Sequence, residues 1–411
     1  MNALASLVEE VLCPACSGAH RKTLYRNVRA SGESIREVAV NVVQCGDCGF
    51  LFNSPRPDAG ALERYYANDI MMSGQVYRDE SSSSHYPRLH ARRAAFLAKL
   101  LGQRSGGLLL DVGCGSGGFL QALSEVNLPG WQLSGLDPSR RAVEVCTARG
   151  LEAQRGRIGE DRLFEPASFD AVTAVSVLEH VPDPRPSLAW CRRLLKPDGL
   201  LFVEVPDTLQ PEVSLTGFFN LEHIVHFTCG TLVQMLQHEG FTEFLRDREA
   251  GGVLRMVASS RLSSWGAESD PIPTDDRKAA ARTIRTYADE EKQLILGLRE
   301  RVAATLTHWQ ALGRRIAVYG AGIHSAQLAS LVDITAYACC FIDGDPTKQN
   351  QKFMGLPVIA PDDLIPRGID AVLISSNRFV DEMVRTVRTV GGPGVAIDTC
   401  YGAALGEGTE R

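Results

Sequence analysis

Twelve residues, Gly217 to Thr228, read GFFNLEHIVHFT and set Glu222, His223 and His226 in an otherwise apolar run. An unpartnered charge is costly to bury. The three groups are therefore satisfied by structural partners, turned to solvent by a twist of the chain, or used as a general acid–base set. Two further groupings carry chemistry. Cys13-Pro-Ala-Cys16 and Cys45-Gly-Asp-Cys48 stand 28 residues apart; each is a tight turn that lets two thiolates meet one tetrahedral Zn²⁺, and four thiolates leave no open position for catalysis. A redox pair would need only one such turn. In LLLDVGCGSGGFLQAL, Gly113, Gly115, Gly117 and Gly118 join a strand-like run to a helix-like one. Glycines there let the backbone approach a ligand, and the helix start offers free amides.

The elements that must position these groups follow from periodicity. LLLDV, WQLSGLD, FDAVTAVSV, GLLFVEVP and VLRMVAS read as strands separated by helical patterns, which predicts an α/β doubly wound sheet. The second of them ends at Asp137, about 20 residues beyond the glycines, where a carboxylate accepts both ribose hydroxyls of a cofactor such as NAD or S-adenosylmethionine. Glu37 to Val43 alternates as a strand between the cysteine pairs, and the helix period begins again at His90. The stretch from Tyr65 to Tyr86, with its four serines, reads as a loop or lid. Asp275 to Leu312 reads as a long helix behind a linker, and Arg315–Tyr319, Cys339–Asp343 and Ala371–Ser375 as strands of a second α/β unit. The expected organisation is 1–58 zinc-binding, 59–260 cofactor-binding, 261–312 linker and long helix, and 313–411 Rossmann-like. In the last of these Gly320 and Gly322 open a glycine-rich turn, but Ser325 replaces the third glycine of the dinucleotide fingerprint. Packing or substrate contact suits that unit better than a separate NAD.

Composition sets outer bounds. A chain of 411 residues, 44% of them hydrophobic, can bury more than one core. A formal net charge of −6 argues against nucleic acid or an anionic membrane surface as partner. The eleven cysteines, four of them in the two pairs, suit a reducing compartment with one metal site. The acidic residues near the start, in MNALASLVEEVL, are unlike a signal peptide. Cytoplasmic location and a monomer or homodimer are the expectations.

Taken together, Asp111-x-Gly113-x-Gly115-x-Gly117, LDPS, FDAV with VLEHVPDP, and LLKPDGLL resemble the class I S-adenosylmethionine-dependent methyltransferases over about residues 90 to 245. The resemblance implies that Asp111 and the loop of Gly113, Cys114, Gly115 and Gly117 surround the methionine moiety, that Asp137 holds the ribose, and that Glu160 contacts the adenine. The order of cysteine-rich head, methyltransferase core and glycine-rich α/β tail resembles, over nearly the whole chain, the bacterial sugar C-methyltransferases that act on nucleotide-linked 4-ketosugars.

In that family a Tyr-x-Glu-His element supplies the catalytic base. Glu222 and His223 match it, with Asn220 at the tyrosine position. An Asn-x-x-x-His element matches at His180, with Ser176 for the asparagine. The implied reaction removes a proton α to a ketone with His223, oriented by Glu222, while His180 or Ser176 stabilises the enolate oxygen. Tyr77 is expected to close over the cofactor site from the lid. A structural role for His223 and His226 stays open at this stage. So do O- or N-methylation of another polar metabolite and a non-catalytic scaffold that only holds the cofactor.

Overall fold

A computed structural model of the chain describes residues 8–31, 36–58, 60, 85–160, 162–220, 222–271, 275–377 and 379–401. The chain divides into two compact units. The first draws on the residues up to Arg26, on Val40–Pro211 and on Leu221–Ile284; the second on Asn27–Ala39, Glu212–Asn220 and the chain from Arg285 onward.

After the short antiparallel pairing of Val8–Glu9 with Arg56–Pro57, the main strands of the first part are β1 (Arg21–Ser31), β2 (Arg36–Cys45) and β3 (Leu51–Asn53); the distal residues of β1 and β2 group with the second unit. Helix α1 (His85–Leu101) precedes β4 (Gly107–Val112), α2 (Gly118–Ser124), β5 (Trp131–Asp137), α3 (Arg140–Ala148) and β6 (Glu152–Arg155). Then follow β7 (Phe169–Val175), α4 (Pro184–Leu194), β8 (Leu195–Pro206), β9 (Val225–His226), α5 (Cys229–His238), β10 (Glu243–Arg246) and β11 (Val253–Ser259). Among the described residues these build a seven-stranded sheet of order β10-β11-β8-β7-β4-β5-β6. The strands from β8 to β6 run parallel, and β11 returns antiparallel against β8. The continuous apolar runs of β4, β7 and β8 fit this placement, since central parallel strands are covered on both faces; Leu109, Leu110, Val172, Leu201 and Val203 are fully buried.

A four-stranded sheet of order β9-β3-β2-β1 lies in the same chain. Val225 pairs with Phe52 and His226 with Leu51, antiparallel. Phe50 and Phe227 meet edge to face at 5.6 Å. Cys13, Val43, Cys45, Phe50 and Phe52 therefore share one apolar cluster with Leu110, Val112 and Val205 of the large sheet. The stretch read as a linker is also tied to this unit. Leu262 and Trp265 are fully buried, the Trp265 Nε1 donates to the Asp198 carbonyl at 2.7 Å, and the Arg104 guanidinium lies 3.6 Å over its ring. A large aromatic side chain with a satisfied N–H anchors what composition alone suggested was free.

Helix α6 (Arg277–Ala311) passes from the first unit into the second. There β12 (Ile316–Tyr319), α7 (Ile323–Leu331), β13 (Ala338–Ile342), β14 (Lys352–Phe353), β15 (Leu356–Ile359), β16 (Ala371–Ile374), α8 (Val380–Gly391) and β17 (Ala396–Thr399) follow. Their sheet has the order β14-β15-β13-β12-β16-β17, parallel except for β14. The Asp343 Oδ2 accepts from the Ala321 amide and from Lys348 Nζ, each at 2.9 Å. An ammonium thus occupies the carboxylate that a dinucleotide ribose would need. Ser325, at the third fingerprint position, is buried and donates to the Gly320 carbonyl.

Candidate active site

The glycine loop leaves the C-terminal end of β4, an inner strand of its sheet flanked by β7 and β5. Gly113 and Gly117 have φ of +71° and +85°, backbone that L side chains rarely adopt. A Cβ on Gly113 would lie 2.4 Å from Val177 Cγ2, and one on Gly117 2.6 Å from Cys146 Sγ. Both positions therefore require glycine for conformation and for room. The Asp137 Oδ2 accepts from the Gly115 amide at 2.9 Å and its Oδ1 from the Ser139 amide at 2.8 Å, so the carboxylate at the end of β5 also shapes the loop.

Asp111 is almost wholly buried and accepts from Thr173 Oγ1 at 2.6 Å. Burial pushes its carboxyl up to about 7, against the pull of the Thr173 hydrogen bond. The Cys114 thiol is buried, with desolvation and Cys146 both holding it protonated, and its amide bonds the Leu136 carbonyl. Glu160 lines an open cleft of about 600 Å³ together with Pro138 and residues 155–159. Its Oε2 accepts from the Arg157 amide at 3.1 Å, so it shapes its own loop as well. The cradle, the ribose-type carboxylate and the adjoining cleft fit S-adenosylmethionine. Tyr77 lies outside the described residues.

Beside the loop, the short turn Leu178–His180 follows Val177, the residue packed against Gly113. His180 and His223 meet edge to face with ring centroids 4.9 Å apart. The His180 Nδ1 donates to the Glu222 carbonyl at 3.0 Å; a carbonyl only accepts, so this nitrogen carries the proton. Glu222 reaches His180 through its backbone. Glu179, which sequence reasoning passed over, brings a buried carboxyl to the same place: one ring nitrogen of each histidine and a Glu179 oxygen all lie within 4.8 Å of one another. The signal was present in VLEHV, an acidic residue among apolar neighbours.

His226 is set differently. It is 3% exposed, its Nε2 donates to Asn53 Oδ1 at 2.9 Å, and burial holds its imidazole down to about 3. This is a neutral, satisfied structural histidine. Asn53 was also missed, because its partners are some 170 residues away.

The four cysteines come together. Cys13 and Cys48 Sγ are 3.6 Å apart, as are Cys16 and Cys45, and all four sulfurs lie within 4.8 Å. Zinc–sulfur bonds of about 2.3 Å place tetrahedral sulfurs at nearly this separation. Matching turns hold the two pairs: the Ser17 amide bonds the Cys13 carbonyl, and the Gly49 amide bonds the Cys45 carbonyl. The donor set and its spacing fit Zn²⁺.

Strand order, glycine loop and second-strand carboxylate define the class I methyltransferase α/β fold. Comparison with known proteins agrees. A family model described as "Methyltransferase domain" matches residues 84–243, and one described as "C-methyltransferase C-terminal domain" matches 248–396. A ubiquinone biosynthesis O-methyltransferase of Paracidovorax citrulli is 39% identical over 183 residues, 43% of this chain and 71% of that protein. The enzyme of the same name from Bordetella bronchiseptica is 26% identical over 236 residues, 56% of this chain and 92% of that one. A solved structure described as a possible histamine N-methyltransferase of Thermotoga maritima aligns at 22% identity and a TM-score of 0.33, covering 46% of this chain and 100% of that one. This chain belongs to the S-adenosylmethionine-dependent methyltransferases. Among the described residues no helix is long and apolar enough to cross a membrane.

Proposed function

We propose that the protein transfers the methyl group to a carbon of a nucleotide-linked ketosugar, with His223 as the base that forms the enolate. The observation that carries this reading is the imidazole pair His180–His223, 4.9 Å between ring centroids, with His180 on the turn that follows Val177, the residue against the cofactor loop. Bound S-adenosylmethionine supplies an electrophilic methyl on a sulfonium. A carbon nucleophile must first lose a proton, so a carbon acceptor needs a base at that place. A positioned base contributes about 10²–10⁴-fold. His223 takes the proton α to the ketone. His180, with its Nδ1 tied to Glu222, presents its other nitrogen to the same space and stabilises the enolate oxygen when protonated.

Asp111 and the Gly113–Gly117 loop hold the methionine end, Asp137 the ribose, and Glu160 borders the adenine cleft. The four cysteines hold a structural zinc, and the enzyme works in the cytoplasm. The match of residues 248–396 to a C-methyltransferase C-terminal domain supports carbon as the acceptor.

The second reading, O-methylation, is favoured by the names of the relatives, both O-methyltransferases of ubiquinone biosynthesis. There the same base would deprotonate a hydroxyl. The test is the product. Incubation with ¹³C-methyl S-adenosylmethionine and a panel of nucleotide-linked 4-ketosugars should give a methyl resonance at carbon chemical shift that survives acid hydrolysis. An oxygen-bound methyl shift, or labelling of phenolic acceptors alone, would overturn the carbon reading.

A further inference from the structure

We propose that Glu179 is the positioning acid of the imidazole pair: its buried carboxyl shares one proton with His180 Nε2 and so keeps His223 able to accept the proton of the substrate. This rests on His223 as the base proposed above.

Because the Glu222 carbonyl holds the Nδ1 proton of His180, the neutral ring has only a lone pair at Nε2. That nitrogen faces Glu179 Oε1 at 3.9 Å. Among the described residues no donor reaches Glu179 Oε2, and the side chain is 2% exposed. A buried carboxylate without a partner is costly, and burial pushes this carboxyl up, opposed by His180. The proton therefore sits either on Glu179, which then donates to Nε2, or on His180, which then faces a carboxylate. Both states are neutral overall. Catalytic hydrogen bonds that are long without ligands commonly tighten in the complex.

His223 approaches from the segment before β9. Glu204 on β8 pushes the Glu179 carboxyl further up, and Arg93 on α1 pulls it down. Those two are largely spent on each other, since Arg93 Nε donates to Glu204 at 2.9 Å and Arg255 Nε to its other oxygen at 2.6 Å. The backbone fixes the geometry, because the Ile224 amide bonds the Glu179 carbonyl at 2.9 Å. An imidazolium at His180 without its carboxylate would repel a proton from His223. With Glu179 it adds no net charge.

The test combines Glu179→Gln, which keeps shape and removes the proton, with measurements on the parent protein. In the parent bound to S-adenosylhomocysteine, ¹⁵N-histidine NMR should find neutral His180 as the Nδ1–H tautomer, and infrared difference spectra against Glu179→Gln should show a protonated-carboxyl band that the variant lacks. With thymidine-diphosphate 4-keto-6-deoxyglucose as probe, α-proton exchange should fall about tenfold or more and its acid limb should move, with S-adenosylmethionine affinity and melting temperature kept. A neutral Nε2–H tautomer, the absence of both a carboxyl band and an imidazolium at His180, or a parental rate and pH profile would each overturn the proposal, as would tight Co²⁺ uptake by the zinc-loaded protein that Glu179→Gln abolishes, which would make Glu179 a metal ligand. His223→Asn separates the two ideas. If it stops exchange while Glu179→Gln does not, the base stands and the positioning acid falls. If neither variant changes exchange, the base and the positioning acid both fall.

Discussion

Asn53 is bonded at both ends of its amide to the segment that carries His223. Its Oδ1 accepts from His226 Nε2 at 2.9 Å, and its Nδ2 donates to the His223 carbonyl at 3.0 Å. Since a carbonyl only accepts, the two bonds fix the orientation of the amide and the tautomer of His226 together. Asn53 is the last residue of β3, the strand that follows the second cysteine pair. The cysteine head is thus a support for the proposed base.

Asn53→Ala should remove the acceptor of the buried His226 N–H and the amide donor to the His223 carbonyl, at about 1–3 kcal/mol for such bonds. Urea denaturation reads this loss. Turnover should fall more than S-adenosylmethionine affinity, because the cofactor loop is held by β4 and β5. An unchanged midpoint would mean that water replaces the amide freely.

Zinc removal follows the same path. Elemental analysis should find one zinc per chain, and stripping it, or Cys45→Ser, should release β3 and with it the segment around His223. Because Cys45 and Phe52 share a core cluster with Leu110 and Val205, the melting temperature of the methyltransferase sheet should drop as well. Calorimetry should find cofactor binding kept in the protein that stays folded. Full turnover without metal would remove the head from the site.

What was legible in the sequence follows physical range. The glycine loop, Asp137, the cysteine pairs and the central strands carry their meaning in local spacing, and each lies where that spacing predicts. The β6 segment EAQR has no apolar alternation because it is an exposed edge strand, so pattern could not find it. The pairing of Leu51–Asn53 with Val225–His226 joins segments about 170 residues apart, and no local signal encodes it. His223 was set apart from His226 in GFFNLEHIVHFT only by its match to a Glu-His element; the burial of His226 against Asn53 gives the physical difference. Glu179 drew no reading from the sequence, and only the fold sets its buried carboxyl beside the two histidines.

Asp111 gives a pH prediction. Its native carboxyl is raised from the ordinary 3.8 to about 7, so between those values the native state binds more protons than the unfolded one, and this group's contribution to stability falls as pH rises through the window. Asp111→Asn should remove that slope, making the ligand-free variant more resistant to heat relative to the parent at pH 8 than at pH 4. Its affinity for S-adenosylmethionine should nonetheless fall, by about 1–3 kcal/mol for a lost charged contact. Thermal melts at the two pH values and calorimetry check both parts.

Asp137→Ala should weaken S-adenosylmethionine by about 1–3 kcal/mol, the scale of a charge-assisted hydrogen bond to the ribose. The Gly115 and Ser139 amides lose their acceptor as well. Asp137→Asn keeps one acceptor oxygen and should lose less. Equal affinity for all three proteins, measured by calorimetry, would place the ribose elsewhere.

The two histidines of the Glu222–His226 stretch should part company under substitution. His223→Asn should keep the melting temperature and cofactor affinity while turnover falls by about 10²-fold or more, the scale of a lost general base. His226→Ala should do the reverse, since it removes the Asn53 bond. Its acid response supplies a second handle. The native His226 is held at about 3 against an ordinary 6.5, so in that interval the unfolded chain takes up a proton that the native chain refuses. Stability from this group is complete above about 6.5 and is lost as pH falls toward 3. His90 and His324, each held down to about 4 by burial, act in the same direction. His226→Gln, which can still donate to Asn53 but does not titrate, should therefore flatten part of the fall in melting temperature between pH 6.5 and 4. A parental slope in that variant would assign the acid sensitivity to His90 and His324. A His223→Asn protein that melts early and keeps its turnover would exchange the roles of the two histidines.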